Sequence, residues 1–103
     1  MTIIYEVNLK VAQTILAEYL SWLQDHIQQM CQEPGFLSAT LFEDITEVKN
    51  SQPSESSYIV QYEVASMEDL QHYFDKRAQV VRQEAIERFG ENFNASRRVL
   101  KKI

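Results

Sequence analysis

The chain has 103 residues, with 10 Lys and Arg against 15 Asp and Glu, so its formal net charge is −5. This length is typical of one domain, and we expect residues 1–103 to form a single domain that buries roughly two thirds of its unfolded surface. The acidic balance argues against proteins that bind nucleic acid or lie on anionic membranes, because both kinds neutralise phosphates with Lys and Arg.

The first half of the chain predicts a strand, a long helix and a second strand. Residues 2–9 alternate as a strand does, and their apolar face is formed by Ile3, Tyr5, Val7 and Leu9. Across residues 12–32 apolar side chains recur every three or four positions, which predicts a helix that the Pro-Gly pair at 34–35 ends. Residues 36–45 alternate again, which places Phe36 on the opposite face from Leu37, Ala39, Leu41 and Ile45.

The second half predicts a loop, a strand, a helix and a last strand. The polar segment 46–57 contains Pro, Asn and several Ser residues, which is typical of a surface loop. Residues 58–64 alternate as a strand. Ser66 is a candidate N-cap for a second helix, and Gly90 is placed to end that helix. Residues 93–102 form the last predicted strand.

The predicted order β-α-β-β-α-β is that of the ferredoxin-like, or split βαβ, fold. This is an α+β arrangement, in which a four-stranded antiparallel sheet carries two helices on one face. The usual strand order for this topology is 4-1-3-2, which brings the last strand next to the first.

The other face of the predicted sheet is mixed in character. Strand alternation assigns to it both polar and large apolar side chains: Ile4, Glu6, Asn8, Phe36, Ser38, Thr40, Phe42, Ile59, Gln61, Glu63, Ser96, Arg98 and Leu100. A sheet face exposed to water normally carries fewer large apolar side chains. We therefore expect a second copy of the same sheet to cover part of this face. Two sheets face to face would form a dimeric α+β barrel, whose interior could be a small-molecule pocket lined in part by Glu6 and Gln61.

The basic residues near the C-terminus have two interpretations. With the 4-1-3-2 order, Arg98 lies near Glu6 and can form a cross-strand ion pair, or both can contact a ligand. A shift of one residue in the last strand exchanges Arg98 for Arg97 on this face. The sequence leaves open which of the two arginines points towards the second sheet.

A histidine and a tryptophan share one surface of the first predicted helix. Trp22 and His26 are four residues apart, so they lie one turn from each other. His26 could act as a general base or bind a haem iron, or it could be a half-buried residue at the edge of the core. If a cavity opens between helices and sheet, Tyr5 and Tyr62 would line it together with His26 and Trp22, as an aromatic pocket for a planar substrate.

Several familiar sites are missing from the sequence. Two His on different helices and one Cys show no metal-ligand spacing, so we expect no metal, and we expect no cofactor. Two glycines do not make a phosphate loop. The basic aromatic motif of RNA-recognition modules is also absent. The single cysteine excludes an internal disulfide, and the sequence has neither a signal peptide nor an apolar run of ~20 residues, so we expect a cytoplasmic protein.

The segments "IIYEVNL", "YLSWLQDHIQQM", "PGFLSATLF", "YIVQYEV" and "RFGENFNASRRVL" resemble a family of short bacterial proteins known as a domain of unknown function. In architecture that family is similar to the dimeric α+β barrel superfamily, which includes antibiotic-biosynthesis-type monooxygenases. The resemblance covers nearly the whole chain and implies the fold and a homodimer. It carries no residue-by-residue assignment of an activity.

Two functional hypotheses follow. The first is a homodimeric small-molecule-binding protein or cofactor-independent enzyme, with His26, Trp22 and Arg98 as catalytic candidates and Glu6, Tyr5, Tyr62, Gln61 and Arg97 as ligand-binding candidates. The second is a non-catalytic regulatory or protein-interaction module.

Overall fold

The computed structural model describes residues 2–46 and 54–103. A short 3-10 turn, Gln13–Ile15, leads from the first strand into the first helix. The strands and helices in chain order are β1 Ile3–Ala12, α1 Leu16–Met30, β2 Phe36–Glu43, β3 Glu55–Val64, α2 Met67–Lys76, α3 Ala78–Phe89 and β4 Phe93–Lys101.

The four strands form one antiparallel sheet with the order β2-β3-β1-β4, as predicted. The central strand β1 places Tyr5 opposite Tyr62 of β3 and Glu6 opposite Arg98 of β4. Because successive side chains of a strand point to opposite faces, Tyr5 and Glu6 lie on different sides of the sheet. The α+β, ferredoxin-like fold is therefore confirmed.

The core lies between the sheet and the helices. Its largest fully buried side chains come from the helices and from the two central strands: Tyr19, Tyr62, Leu70, Val11, Val60 and Val64. Aromatic rings connect neighbouring strands and also the two layers, since Tyr5 lies 5.9 Å from Tyr62 of β3 and 5.4 Å from Phe74 of α2 between ring centroids. Such pairs add about 0.5–1.5 kcal/mol each beyond the area that they bury.

The prediction for β2 was right about its first residue, but wrong about the sides on which Phe36 and Leu37 lie and about where the strand ends. The pairing of β2 with β3 shifts between Phe36 and Ser38, which leaves Leu37 in a bulge. A bulge changes the alternation by one residue, so Phe36 turns into the core, where it is 5% exposed, and Leu37 is 61% exposed. β2 ends at Glu43, and Ile45, which was predicted to face the helices, lies beyond the strand and is exposed.

The second predicted helix is interrupted at Arg77, so three helices rather than two cover the sheet. Arg77 has φ −127° and ψ −32°, outside the helical range, and neither Gly nor Pro marks the position. The two halves pack on different neighbours: Tyr73 of α2 contacts Phe36, and Phe89 of α3 contacts Tyr19. The interruption lies between these two contacts.

Other local predictions are confirmed. The Ser66 hydroxyl accepts a hydrogen bond from the Asp69 backbone N–H at 3.1 Å and caps α2. Gly90 ends α3 with φ +59°.

Of the predicted loop 46–57, residues 47–53 lie outside the described residues, and residues 55–57 belong to β3 instead. Within the described ranges, the helices are too short and too polar to cross a membrane.

Candidate functional site

A cavity opens between the helices and the covered face of the sheet. The cavity has a volume of about 50 Å³ and opens to solvent. The walls come from α1, from α2 and α3, and from three strands of the sheet. The lining residues are Tyr5, Val7, Leu9, Tyr19, Trp22, Leu23, His26, Met30, Val60, Tyr62, Tyr73, Val81, Arg82, Ala85, Phe93, Ala95 and Arg97.

The sheet register explains why the central part of this face is open. Val7 lies in the middle of β1, between Val60 of β3 and Arg97 of β4, yet it is only half-buried. The small side chains of Ala85 on α3 and Ala95 on β4 leave room beside it. A central strand position that is incompletely covered by helices marks a space that a ligand could fill.

Phenol rings form much of the wall. Burial raises the pKa of both Tyr19 and Tyr73 to about 12, and burial also raises the pKa of Tyr62 well above its ordinary value of 10. All three phenols are therefore neutral at physiological pH, when each hydroxyl can donate one hydrogen bond. The cavity thus offers neutral donors rather than negative charge.

His26 and Trp22 form a second aromatic wall. Their rings are stacked, with centroids 4.9 Å apart and planes within 3° of each other. Burial lowers the pKa of His26 from 6.5 to about 4, because an apolar environment disfavours the charged imidazolium. At neutral pH His26 is an uncharged imidazole that can donate from one ring nitrogen and accept at the other.

Two arginines carry the positive charge of the cavity. Arg82 projects from α3 and Arg97 from β4, and both side chains are exposed at the edge of the lining. The two positive charges act on the phenols. Both lower the pKa of Tyr73, although burial, which raises it, has the larger effect. Arg97 acts on Tyr19 in the same direction.

A different cluster lies on the open face of the sheet. The Glu6 carboxylate is 2% exposed and accepts hydrogen bonds from Gln61 Nε2 at 3.0 Å and Asn8 Nδ2 at 3.1 Å. Arg98 Nε donates to the same carboxylate and forms an ion pair with it. The hydrogen bond from Arg98 is the main cause that lowers the pKa of Glu6 from 4.5 to about 2.

The sheet therefore separates the candidate site residues into two groups. Tyr5, Trp22, His26, Tyr62 and Arg97 line the cavity on the helix side. Glu6, Gln61 and Arg98 lie together on the open face. The predicted pairing of Arg98 with Glu6 is confirmed, and the register places Arg97 on the opposite side.

Sequence reasoning missed three of the polar side chains in the cavity wall. Tyr19 and Tyr73 look like ordinary core residues in an apolar stripe. Arg82 looks like one more charge on the solvent side of a helix, because the interruption at Arg77 changes which positions of α3 face the sheet. Proximity in sequence to Val81 and Ala85, which both line the cavity, was the one available signal.

Among residues 2–46 and 54–103, no three His, Cys, Asp or Glu side chains come close enough to hold a metal ion. His72 is exposed on α2, away from the cavity lining, and Cys31 follows the end of α1. The chemistry that the cavity offers is therefore that of neutral hydroxyls, one neutral imidazole, an indole and two guanidinium groups.

Residues 2–103 match the family described as "Domain of unknown function (DUF4286)". A comparison with curated proteins gave no match.

Solved structures with the same fold include proteins described as oxygenases or monooxygenases, at low sequence identity. The cofactor-independent oxygenase SnoaB from Streptomyces nogalater has a TM-score of 0.71 at 13% identity, over 100% of this chain and 95% of that chain. A provisionally assigned antibiotic biosynthesis monooxygenase from Deinococcus radiodurans has a TM-score of 0.74 at 15% identity, over 98% and 92%. An ethyl tert-butyl ether D (EthD) family protein from Bacillus halodurans has a TM-score of 0.71 at 10% identity, over 100% of both chains. At these identities the likeness establishes the fold alone.

Proposed function

The chain belongs to the DUF4286 family, and we propose that it is a homodimeric, cofactor-independent protein that binds a small planar molecule in the cavity between helices and sheet. The observation that carries this proposal is the cavity itself. Its wall is mostly apolar and aromatic, with a few polar groups from Tyr, His and Arg side chains that converge on one space. That composition is the usual one for a small-molecule site.

The stacked pair of Trp22 and His26 supports a planar ligand. An indole and a neutral imidazole held within 3° of parallel present a flat wall, against which an aromatic ring can stack or meet edge to face. The phenols of Tyr62 and Tyr73 lie on other walls and can orient oxygen atoms of the ligand by hydrogen bonds. These contacts suit an aromatic or polyketide-like compound.

The same wall sets limits on the role of His26. A pKa of about 4 makes it a weak base, so it acts best as a hydrogen-bonding group that positions the ligand. If the protein is an enzyme, we expect it to act on a compound that is already activated, with molecular oxygen as co-substrate, as in the cofactor-independent oxygenase of the same fold. This step rests on analogy of fold.

The homodimer is proposed from the open face. Ile4, Ile59 and Leu100 are half-buried there and Phe42 is 44% exposed, around the polar cluster of Glu6. A second copy of the sheet would cover this apolar area and form the α+β barrel.

We further propose that the protein works in the cytoplasm, because its single cysteine needs no oxidising compartment.

Native mass spectrometry of freshly purified protein tests the proposal. We expect a dimer that retains a small additional mass, and we expect Trp22→Ala to lose that mass while it remains dimeric. Ile86→Ala, which changes an exposed apolar side chain of α3 outside the cavity lining, is the control and should keep both the dimer and the retained mass. A monomer would contradict the barrel, and a retained mass that Trp22→Ala leaves unchanged would contradict the assignment of the cavity.

A further inference from the structure

We propose that the cavity selects aromatic anions, whose carboxylate or phenolate oxygens are held between Arg82 and Arg97 while the ring enters the aromatic wall. This inference deepens the proposed function and rests on it. It adds a chemical class of ligand and assigns a specificity role to two residues at the entrance.

The first argument is the distribution of charge. The chain has 15 acidic residues against 10 basic ones, yet the cavity lining contains two arginines and no acidic residue. A protein with this balance would repel anions from most of its surface. Two guanidinium groups at the opening of a low-dielectric cavity make the local electrostatic potential positive, and they attract an anion to that place.

The second argument is the contrast with the other arginines. Arg98 is bound to Glu6, Arg77 is 3.4 Å from Glu33, and Arg88 lies over the Phe89 ring. Within residues 2–46 and 54–103, no ion pair or side-chain hydrogen bond is formed by Arg82 or Arg97. These two therefore keep their donors for another group, and the planar guanidinium suits the two oxygens of a carboxylate.

The third argument is the depth at which a charge can sit. The buried part of the cavity wall includes Tyr62, which is 2% exposed, whereas Arg82 and Arg97 are exposed. An anion beside Tyr62 would lose its hydration without pairing with a cation, which is costly. At the entrance the anion meets both arginines, so the charged group stays outside and the ring points inward.

Matched probes test the inference by isothermal titration calorimetry at pH 7.5. 2-Naphthoate is an anion at this pH, and 2-naphthamide has the same ring system without the charge. We expect 2-naphthoate to bind at least about tenfold more tightly than 2-naphthamide, since a hydrogen-bonded charge pair contributes on this scale. We expect the preference to shrink as NaCl is raised from 50 to 500 mM, because the pair is partly exposed.

Three single variants remove the same charge from different places. Arg82→Gln and Arg97→Gln should each weaken 2-naphthoate binding by about tenfold and leave 2-naphthamide binding unchanged. Arg88→Gln, on the same helix as Arg82 but outside the cavity, should change neither. All three side chains are exposed, so the variants should fold, which circular dichroism checks.

Each outcome decides the inference. Equal affinity for the two probes, with no effect of Arg82→Gln or Arg97→Gln, overturns anion selection but leaves the cavity as a binding site. Binding of neither probe overturns the inference, and the retained mass in native mass spectrometry then decides the proposed function separately. Loss of 2,4-dinitrophenolate binding in the two cavity variants would extend the selected class to phenolates, and binding of 2-naphthoate alone would restrict it to carboxylates.

Discussion

The two faces of the sheet accommodate buried polar groups in opposite ways, one with neutral groups and the other with a charged one. On the helix side, Tyr62 and His26 are kept neutral by burial, and the charges of Arg82 and Arg97 lie at the edge. On the open side, the Glu6 carboxylate is buried with its charge intact. Neighbouring residues of one strand, Tyr5 and Glu6, thus enter two different electrostatic environments.

The difference shows how partners decide the state of a buried group. Glu6 receives three side-chain donors, from Asn8, Gln61 and Arg98, and its pKa falls although desolvation acts to raise it. His26 has a stacked ring beside it but forms no side-chain hydrogen bond with another described residue, and desolvation lowers its pKa. A buried charge whose hydrogen bonds are all formed within the protein stabilises the fold, whereas a neutral group with free donors and acceptors can bind a ligand.

The largest expected effect compares the same substitution on the two sides. Leu70→Ala on α2 removes a side chain with 0% exposure, and we expect it to lower the free energy of unfolding by about 3 kcal/mol. Leu100→Ala on the open face removes a half-buried side chain, and we expect less than about 1.5 kcal/mol for an isolated protomer. Urea denaturation measures both.

The same pair of variants sharpens the proposal of a dimer. If a second copy covers the open face, the cost of Leu100→Ala should depend on protein concentration, and that of Leu70→Ala should depend on it less. Equal costs for the two variants at every concentration would contradict the contrast between the faces.

The next effect concerns the buried carboxylate. Glu6→Gln keeps the shape but removes the charge that Arg98 binds, and we expect it to lower the free energy of unfolding by about 2 kcal/mol at pH 7. In the unmodified protein the folded-state pKa of about 2 lies below the ordinary 4.5, so the contribution is complete above pH 4.5 and is lost as pH falls towards 2. The cost of the variant should therefore shrink over this pH range. A cost that stays constant would show that Glu6 is not held as a charge.

A smaller effect separates the two neighbouring arginines. Arg98→Gln removes one of three donors to Glu6, but its side chain is 65% exposed, so we expect only a small loss of stability. Arg97→Gln, on the other side of the sheet and without an ion pair to a described residue, should stay within about 0.5 kcal/mol of the unmodified protein. Thermal denaturation compares them, and the reverse order would contradict the register of β4.

The smallest effect at neutral pH is that of His26. Its pKa is lowered to about 4 in the folded state and is near 6.5 in the unfolded state, so the unfolded chain takes up the proton first. Stability is complete above pH 6.5 and falls as pH drops from 6.5 towards 4, and His26→Gln should remove that part of the loss. An NMR titration of the ring signals gives the pKa of His26 directly. A midpoint of His26 near 6.5 would show that water reaches the ring.

The sequence predicted the fold because its alternation and helical periods agree with the topology. The strand order predicted that an arginine of the last strand would pair with Glu6, but the choice between Arg97 and Arg98 needed the observed register. The shared surface of Trp22 and His26 followed from helical spacing. The position of Phe36 was not predictable, because a bulge at Leu37 has no Gly and is set by tertiary packing. Arg82 was missed for the same kind of reason, since the interruption at Arg77 leaves no local mark in the sequence.

The measurement that tests the account most directly is a ¹⁵N NMR titration of the protein with 2-naphthoate. The Trp22 indole N–H reports the cavity, and the side-chain amides of Asn8 and Gln61 report the open face. We predict shifts of the Trp22 indole and of the backbone signals of Tyr73 and Arg97, with the amides of Asn8 and Gln61 unmoved. Shifts confined to Asn8 and Gln61 would place the ligand on the open face and contradict the account.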